Sequence, residues 1–97
     1  MNMRFMDIVR WLMSKSAFTD AHQILVKALA HAREAAGLQQ VELAQRIGKS
    51  QSYISNIERG QRRVDVIEFI VIVKAMGGDP PAIFESIAGE VPDEIGI

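Results

Sequence analysis

Gly37, Gly48, Gly60, Gly77 and Gly89 each stand just past a stretch of apolar residues at helical spacing, and this punctuation constrains the fold more than any other feature of the chain. Glycine enters the left-handed backbone region without steric cost, which is what a helix-closing residue needs. The stretches between these stops read as five helices. The first main helix is expected from Thr19 or Asp20, either of which can cap it, to Ala36, with Ile24, Leu25, Leu29, Ala32 and Ala36 on one face. The second is expected over Gln40–Ile47, with Leu43, Ala44 and Ile47 inward. The third covers Gln51–Arg59, capped by Ser50, with Ile54 and Ile57 inward. The fourth covers Val66–Met76, where Asp65 and Glu68 form a capping-box pair. It is apolar on most sides, so a central or interfacial place is expected for it. The fifth starts with Asp79 as cap and Pro80 at the first helical position, and runs to about Ala88.

Before these helices, Phe5, Ile8, Val9 and Leu12 recur at helical spacing, so residues 1–18 read as an apolar helical extension. It either lies on the domain's own core or serves as a dimer-forming arm. The expected organisation is therefore an all-α, compact five-helix domain over 19–89, an additional N-terminal helical segment over 1–18, and an acidic tail over 90–97.

Composition limits the chemistry. A hydrophobic share of 48% with only 6% aromatic residues implies an aliphatic core, which favours helices over sheets. There are no cysteines, so disulfides, thiolate metal sites and a cysteine nucleophile are excluded. Asp7 and Arg10 interrupt the apolar start Met1–Met13, no apolar run reaches the roughly 18 residues of a membrane span, and a cytoplasmic protein with no membrane partner is expected. His22 and His31 do not share a metal-ligand spacing on one helix face, and no nucleophile–base grouping stands out; neither an enzyme, a metal nor a cofactor is expected. The net charge is −1, but it is unevenly spread. The middle of the chain holds Arg33, Arg46, Lys49, Arg59, Arg62 and Arg63, whereas the end holds Asp65, Glu68, Asp79, Glu85, Glu90, Asp93 and Glu94 against Lys74 alone. A basic middle and an acidic end suggest one face for phosphates and one kept away from them.

The most informative stretch runs from Gln40 to Gly60. Ala44 is small enough to sit where two helices cross, Gly48 suits a tight turn, and Leu43, Ile47, Ile54 and Ile57 supply a shared apolar face. The second of these helices then turns outward Ser50, Gln51, Ser52, Ser55 and Asn56, which are short, polar and uncharged. A plain solvated face would carry Lys and Glu. Side chains dense in donors and acceptors suit base edges in a major groove.

These residues resemble the Cro/repressor (XRE) helix-turn-helix family: Ala44, Gly48 and Ile54 at their mutual spacing, with Gln40 and Glu42–Leu43–Ala44 before them and Ile57–Glu58–Arg59–Gly60 after. The resemblance covers about Ile24–Ile87, with the helix-turn-helix at about 40–59. It implies a repressor-like bundle whose recognition helix enters the major groove of double-stranded DNA, acting as a homodimer. Carried over by position, Gln51, Ser52, Ser55 and Asn56 would face bases. Gln40 would offer its backbone N–H to a phosphate and brace Gln51 with its side chain. Ser50, Tyr53, Arg59, Arg62 and Arg63 would contact the sugar-phosphate backbone, although Tyr53 reads equally as a residue packed beside the core. Arg33 and Glu58 match positions that form an ion pair between the first helix and the recognition helix. This chain departs from the family pattern at Gln39, a poor cap where Ser or Thr is common, and at Val64–Asp65, where a proline step is common.

The resulting expectation is a sequence-specific repressor on a two-fold symmetric operator. The alternative is an antitoxin that binds a toxin partner and also represses its own operon. Val66, Phe69, Ile72, Ile83, Phe84 and Ile87 on the fourth and fifth helices are the expected dimer surface, with the N-terminal segment as rival.

Overall fold

The computed structural model describes the backbone of residues 4–94 and the side chains of residues 4–7 and 21–94. Among the described residues the fold is all-α, with α1 (Phe5–Ala35), α2 (Gln40–Arg46), α3 (Gln51–Glu58), α4 (Val66–Ala75) and α5 (Pro80–Glu90). α1 packs on α3 and α5, α2 packs on α3 and α4, and α4 packs on α5. No helix among the described residues is long and apolar enough to cross a membrane.

The glycine stops work through a repeated pair of hydrogen bonds. At the end of α2 the Gly48 N–H donates to the Gln45 carbonyl at 3.2 Å, and the Lys49 N–H reaches back to the Ala44 carbonyl at 2.9 Å. Gly48 has a φ of 69° and open space where a Cβ would be, so the backbone angle alone demands glycine. The same bonding closes α1 at Gly37 and Leu38, α3 at Gly60 and Gln61, and α4 at Gly77 and Gly78. Leu38, the residue after the first stop, folds back into the core and is only 7% exposed.

Helix starts divide into two kinds. Asp65 and Glu68 close the expected capping box: the Glu68 N–H donates to Asp65 Oδ1 at 2.7 Å and the Asp65 N–H to Glu68 Oε1 at 3.0 Å. Ser50 Oγ accepts from the Tyr53 N–H at 3.4 Å. At α2, Gln39 makes no side-chain cap, but its N–H donates to Glu42 at 3.1 Å. Asp79 occupies the cap position of α5 without a side-chain hydrogen bond; Pro81 removes one of the two backbone donors, at the second and third helical positions, that a cap side chain can accept from.

Two expected boundaries are corrected. α1 does not begin at Thr19 or Asp20 but runs unbroken from Phe5, so the extension and the first main helix share one backbone helix. No glycine or proline lies between Phe5 and Ala35, and a residue that can cap a helix start does not force one. The packing expected of Ile8, Val9 and Leu12 lies outside the described side chains. α5 runs through Gly89 to Glu90, and Gly89 lacks the positive φ of the other stops.

One core joins α1–α4: Leu29, Leu38, Leu43, Ala44, Ile54, Ile57, Phe69, Ile72, Val73 and Met76, with Ile83 and Ile87 of α5 packed against it. Val26, 2% exposed, is a buried α1 residue absent from the expected stripe, whereas Ala36 is exposed. Of the six residues expected at a dimer surface, Phe69 and Ile72 are core residues while Val66 and Phe84 are exposed.

Gly48→Ala should cost about 1 kcal/mol from the left-handed angle alone. Gly60→Ala should carry the same backbone cost with little added, because Gln23 Nε2, 2.4 Å from the new Cβ, is the far end of a flexible side chain that can turn away. Urea midpoints of both variants should therefore fall below the native one by similar amounts, with unchanged slopes.

Candidate nucleic-acid interface

The surface is built outward from a nearly buried fork. Arg33 Nε donates to Glu58 Oε2 at 2.7 Å and Nη2 to Glu58 Oε1 at 2.9 Å, while Nη1 donates to the Leu38 carbonyl at 2.7 Å. The two side chains are 12% and 11% exposed. The hydrogen bond to Glu58 raises the Arg33 pKa above its ordinary value, against the opposing effect of burial. This paired geometry needs the planar guanidinium.

Glu58 carries the order one step further. Its Oε1 also accepts from Gln40 Nε2 at 3.0 Å, and Gln40 Oε1 accepts from Gln51 Nε2 at 3.4 Å. The end of α1, the start of α2 and both ends of α3 thus belong to one hydrogen-bonded chain, which ends on an exposed amide at the tip of α3.

Around that amide, Ser52 is exposed and Ser55 and Asn56 are half-buried on the same short helix. Asn56 Oδ1 accepts from Arg59 Nη2 at 2.5 Å, so the outer end of the helix carries an amide tied to a cation. Ser50, Arg59 and Arg63 are exposed and Gln40 is half-buried.

A second cluster lies where α3, the following loop and α4 meet. Glu68 Oε2 accepts from the Tyr53 hydroxyl and from Arg62 Nη2, the latter at 2.8 Å, while its Oε1 remains in the capping box. The Arg62 guanidinium lies 4.6 Å from the centre of the Tyr53 ring, and Lys49 Nζ lies 5.4 Å from it. Tyr53 also packs against the core. Its single hydroxyl proton is given to Glu68.

Two residues of this surface were not singled out from the sequence. Lys49 is exposed in the turn between α2 and α3, and its signal was a cation directly before the Ser50 cap. Glu68 was read only as a capping residue. Its link to Tyr53 spans 15 positions and has no local sequence signal.

Comparison with known proteins agrees with this geometry. A family profile described as helix-turn-helix matches residues 29–83. An XRE-family-like protein from Pseudomonas syringae pv. tomato is 39% identical, with a TM-score of 0.75 over 82% of this chain and 98% of that one. The restriction-modification controller protein C.AhdI from Aeromonas hydrophila is 32% identical, with a TM-score of 0.59 over 67% and 97%. The clp gene regulator ClgR from C. glutamicum is 26% identical, with a TM-score of 0.67 over 76% and 96%. A search of curated proteins gives no match.

Glu58→Gln should lower stability by about 3 kcal/mol in urea unfolding, because Arg33 would keep a nearly buried charge without its partner. The second cluster sets two pH limbs. The Tyr53 hydroxyl, then the Asp65 N–H, lower the Glu68 pKa; this contribution is complete above the ordinary carboxylate range and is lost as pH falls through the lowered folded value. Burial, then the bond to Glu68, pushes Tyr53 up from 10.0 to about 12. That contribution is complete below the ordinary tyrosine range and is lost as pH rises toward the folded value. In stability–pH curves, Tyr53→Phe should remove the tyrosine's share of the alkaline limb, and Glu68→Gln should reduce the acid limb.

Proposed function

The chain belongs to the XRE-type helix-turn-helix family of DNA-binding transcriptional regulators, and from that premise we propose that it is a sequence-specific repressor acting as a dimer on a two-fold symmetric operator. The observation that carries this reading is the Gln51 amide, exposed at the tip of α3 and oriented by Gln40. One Nε2 proton is used in that brace. The other, together with Oε1, matches the two-bond pattern of an adenine edge. Ser52, Ser55 and Asn56 extend the base-facing surface along α3.

The phosphate contacts in this reading come from the Gln40 backbone N–H, Ser50, Arg59 and Arg63, with Lys49 added from the structure. These contacts set register and supply the salt-dependent part of the affinity.

Dimerisation is assigned to α4 and the first turn of α5. Val66 and Ile67 are each 68% exposed and Phe84 is 61% exposed. A groove of about 530 Å³ lies among Val66, Phe69, Ile70, Pro80, Pro81 and Phe84. Phe84 meets Phe69 edge-on at 6.4 Å, so the exposed ring is already supported from below.

Selection of duplexes from a random DNA pool near physiological salt tests the reading. The expected result is a two-fold symmetric site with half-sites about one helical turn, ~34–36 Å, apart. An unenriched pool with only weak, salt-sensitive binding would sink it. Gln51→Ala should lose about 1–3 kcal/mol of discrimination at one base position per half-site. Phe84→Glu should shift sedimentation toward the monomer and abolish joint occupancy of the half-sites.

A further inference from the structure

The Tyr53–Arg62–Glu68 cluster is not absorbed by base reading, and its chemistry bears on the phosphate-borne part of DNA affinity. A carboxylate oxygen that takes one guanidinium N–H and one phenolic O–H presents to them the kind of acceptor a DNA phosphate oxygen would present. Glu68 Oε2 occupies that role, with Arg62 Nη2 at 2.8 Å. Arg62 is held twice more, by the Tyr53 ring and by Nη1 donating to the Arg63 carbonyl at 2.9 Å. Its side chain is nevertheless 41% exposed, against 22% for Glu68. The guanidinium is therefore at the surface with its charge already matched from inside.

We propose that Glu68 stands in for a DNA phosphate, holding Arg62 and Tyr53 and thereby suppressing the phosphate-borne, sequence-independent part of DNA affinity. The inference rests on the DNA-reading assignment of α3. Non-specific affinity comes almost entirely from cations on phosphates, whereas selectivity comes from base edges. Neutralising one cation at the rim therefore lowers binding to every sequence by about the same factor, while leaving Gln51 and its neighbours, and with them the ratio between operator and bulk DNA, in place. Lys49, on the same ring, has no carboxylate among its contacts in this cluster and keeps the rim cationic.

The test is Glu68→Gln in the full chain, titrated over a range of salt against random-sequence duplex and against the selected operator. Glutamine still closes the capping box with Asp65, so α4 keeps its start; a thermal melt verifies the fold, and Glu68→Thr serves as a second variant of the same charge. The expected result is tighter binding to random duplex by about 3- to 10-fold at low salt and a log–log salt slope steeper by about 0.9, the value of one added phosphate contact. Operator binding should tighten by about the same factor, so the operator-to-random ratio should hold. Adding Arg62→Gln to Glu68→Gln should cancel the gain, and Arg62→Gln should cost more binding in that background than in the native chain. An unchanged slope, or equal losses on both duplexes, would show that Glu68 only supports the fold and would overturn the inference while leaving the DNA-reading assignment intact. Failure of the native chain to bind any duplex would overturn that assignment and this inference with it.

Discussion

The Arg33–Glu58 pair is the constraint on which the rest of the surface depends. α2 has 7 residues and α3 has 8, both shorter than helices that hold in isolation. Their order comes from packing on the core and from this fork, which joins them to the much longer α1. One carboxylate takes two donors from Arg33 and one from Gln40, and Gln40 passes the order to Gln51. Because the pair is nearly buried, salt screens it less than it screens exposed contacts. The shape of the outward surface of α3 should therefore persist under ionic conditions that weaken exposed charge contacts.

Charge is arranged in layers around that surface. The outward residues of α3 are neutral amides and hydroxyls. Cations stand at its rim, at Lys49, Arg59, Arg62 and Arg63. Seven of the twelve acidic residues stand at Asp65 or beyond, and of these Glu68 reaches toward the rim. A net charge near zero thus coexists with a locally basic face, and composition alone gives little sign of it.

Local features were legible in the sequence and distant ones were not. The Asp65–Glu68 box, the Ser50 cap and four of the glycine stops each lie within one turn of the helix end they define. The apolar positions of α2 and α3 needed only the helical repeat. The Arg33–Glu58 pair was reached through resemblance, since no spacing rule joins residues 25 positions apart. The failures have the same origin. Thr19 and Asp20 can cap a helix, but nothing near them obliges the chain to stop. Gly89 sits on a helix whose Ile83 and Ile87 are packed inward, and a glycine alone does not end such a helix. The second role of Glu68 depended on which donor the tertiary fold would bring to its free oxygen.

The glycine-closed ends also bear on how quickly the molecule can assemble. Each stop is encoded in about six consecutive residues, so the lengths of α1 to α4 need no distant contact to be set. α2 and α3 then meet across the short turn at Gly48, and α4 and α5 across the one at Gly77. Chains dominated by such local contacts collapse and fold in about microseconds to milliseconds, and without cysteines no disulfide step delays them. A freshly synthesised copy would pass through little time with its aliphatic core open to aggregation.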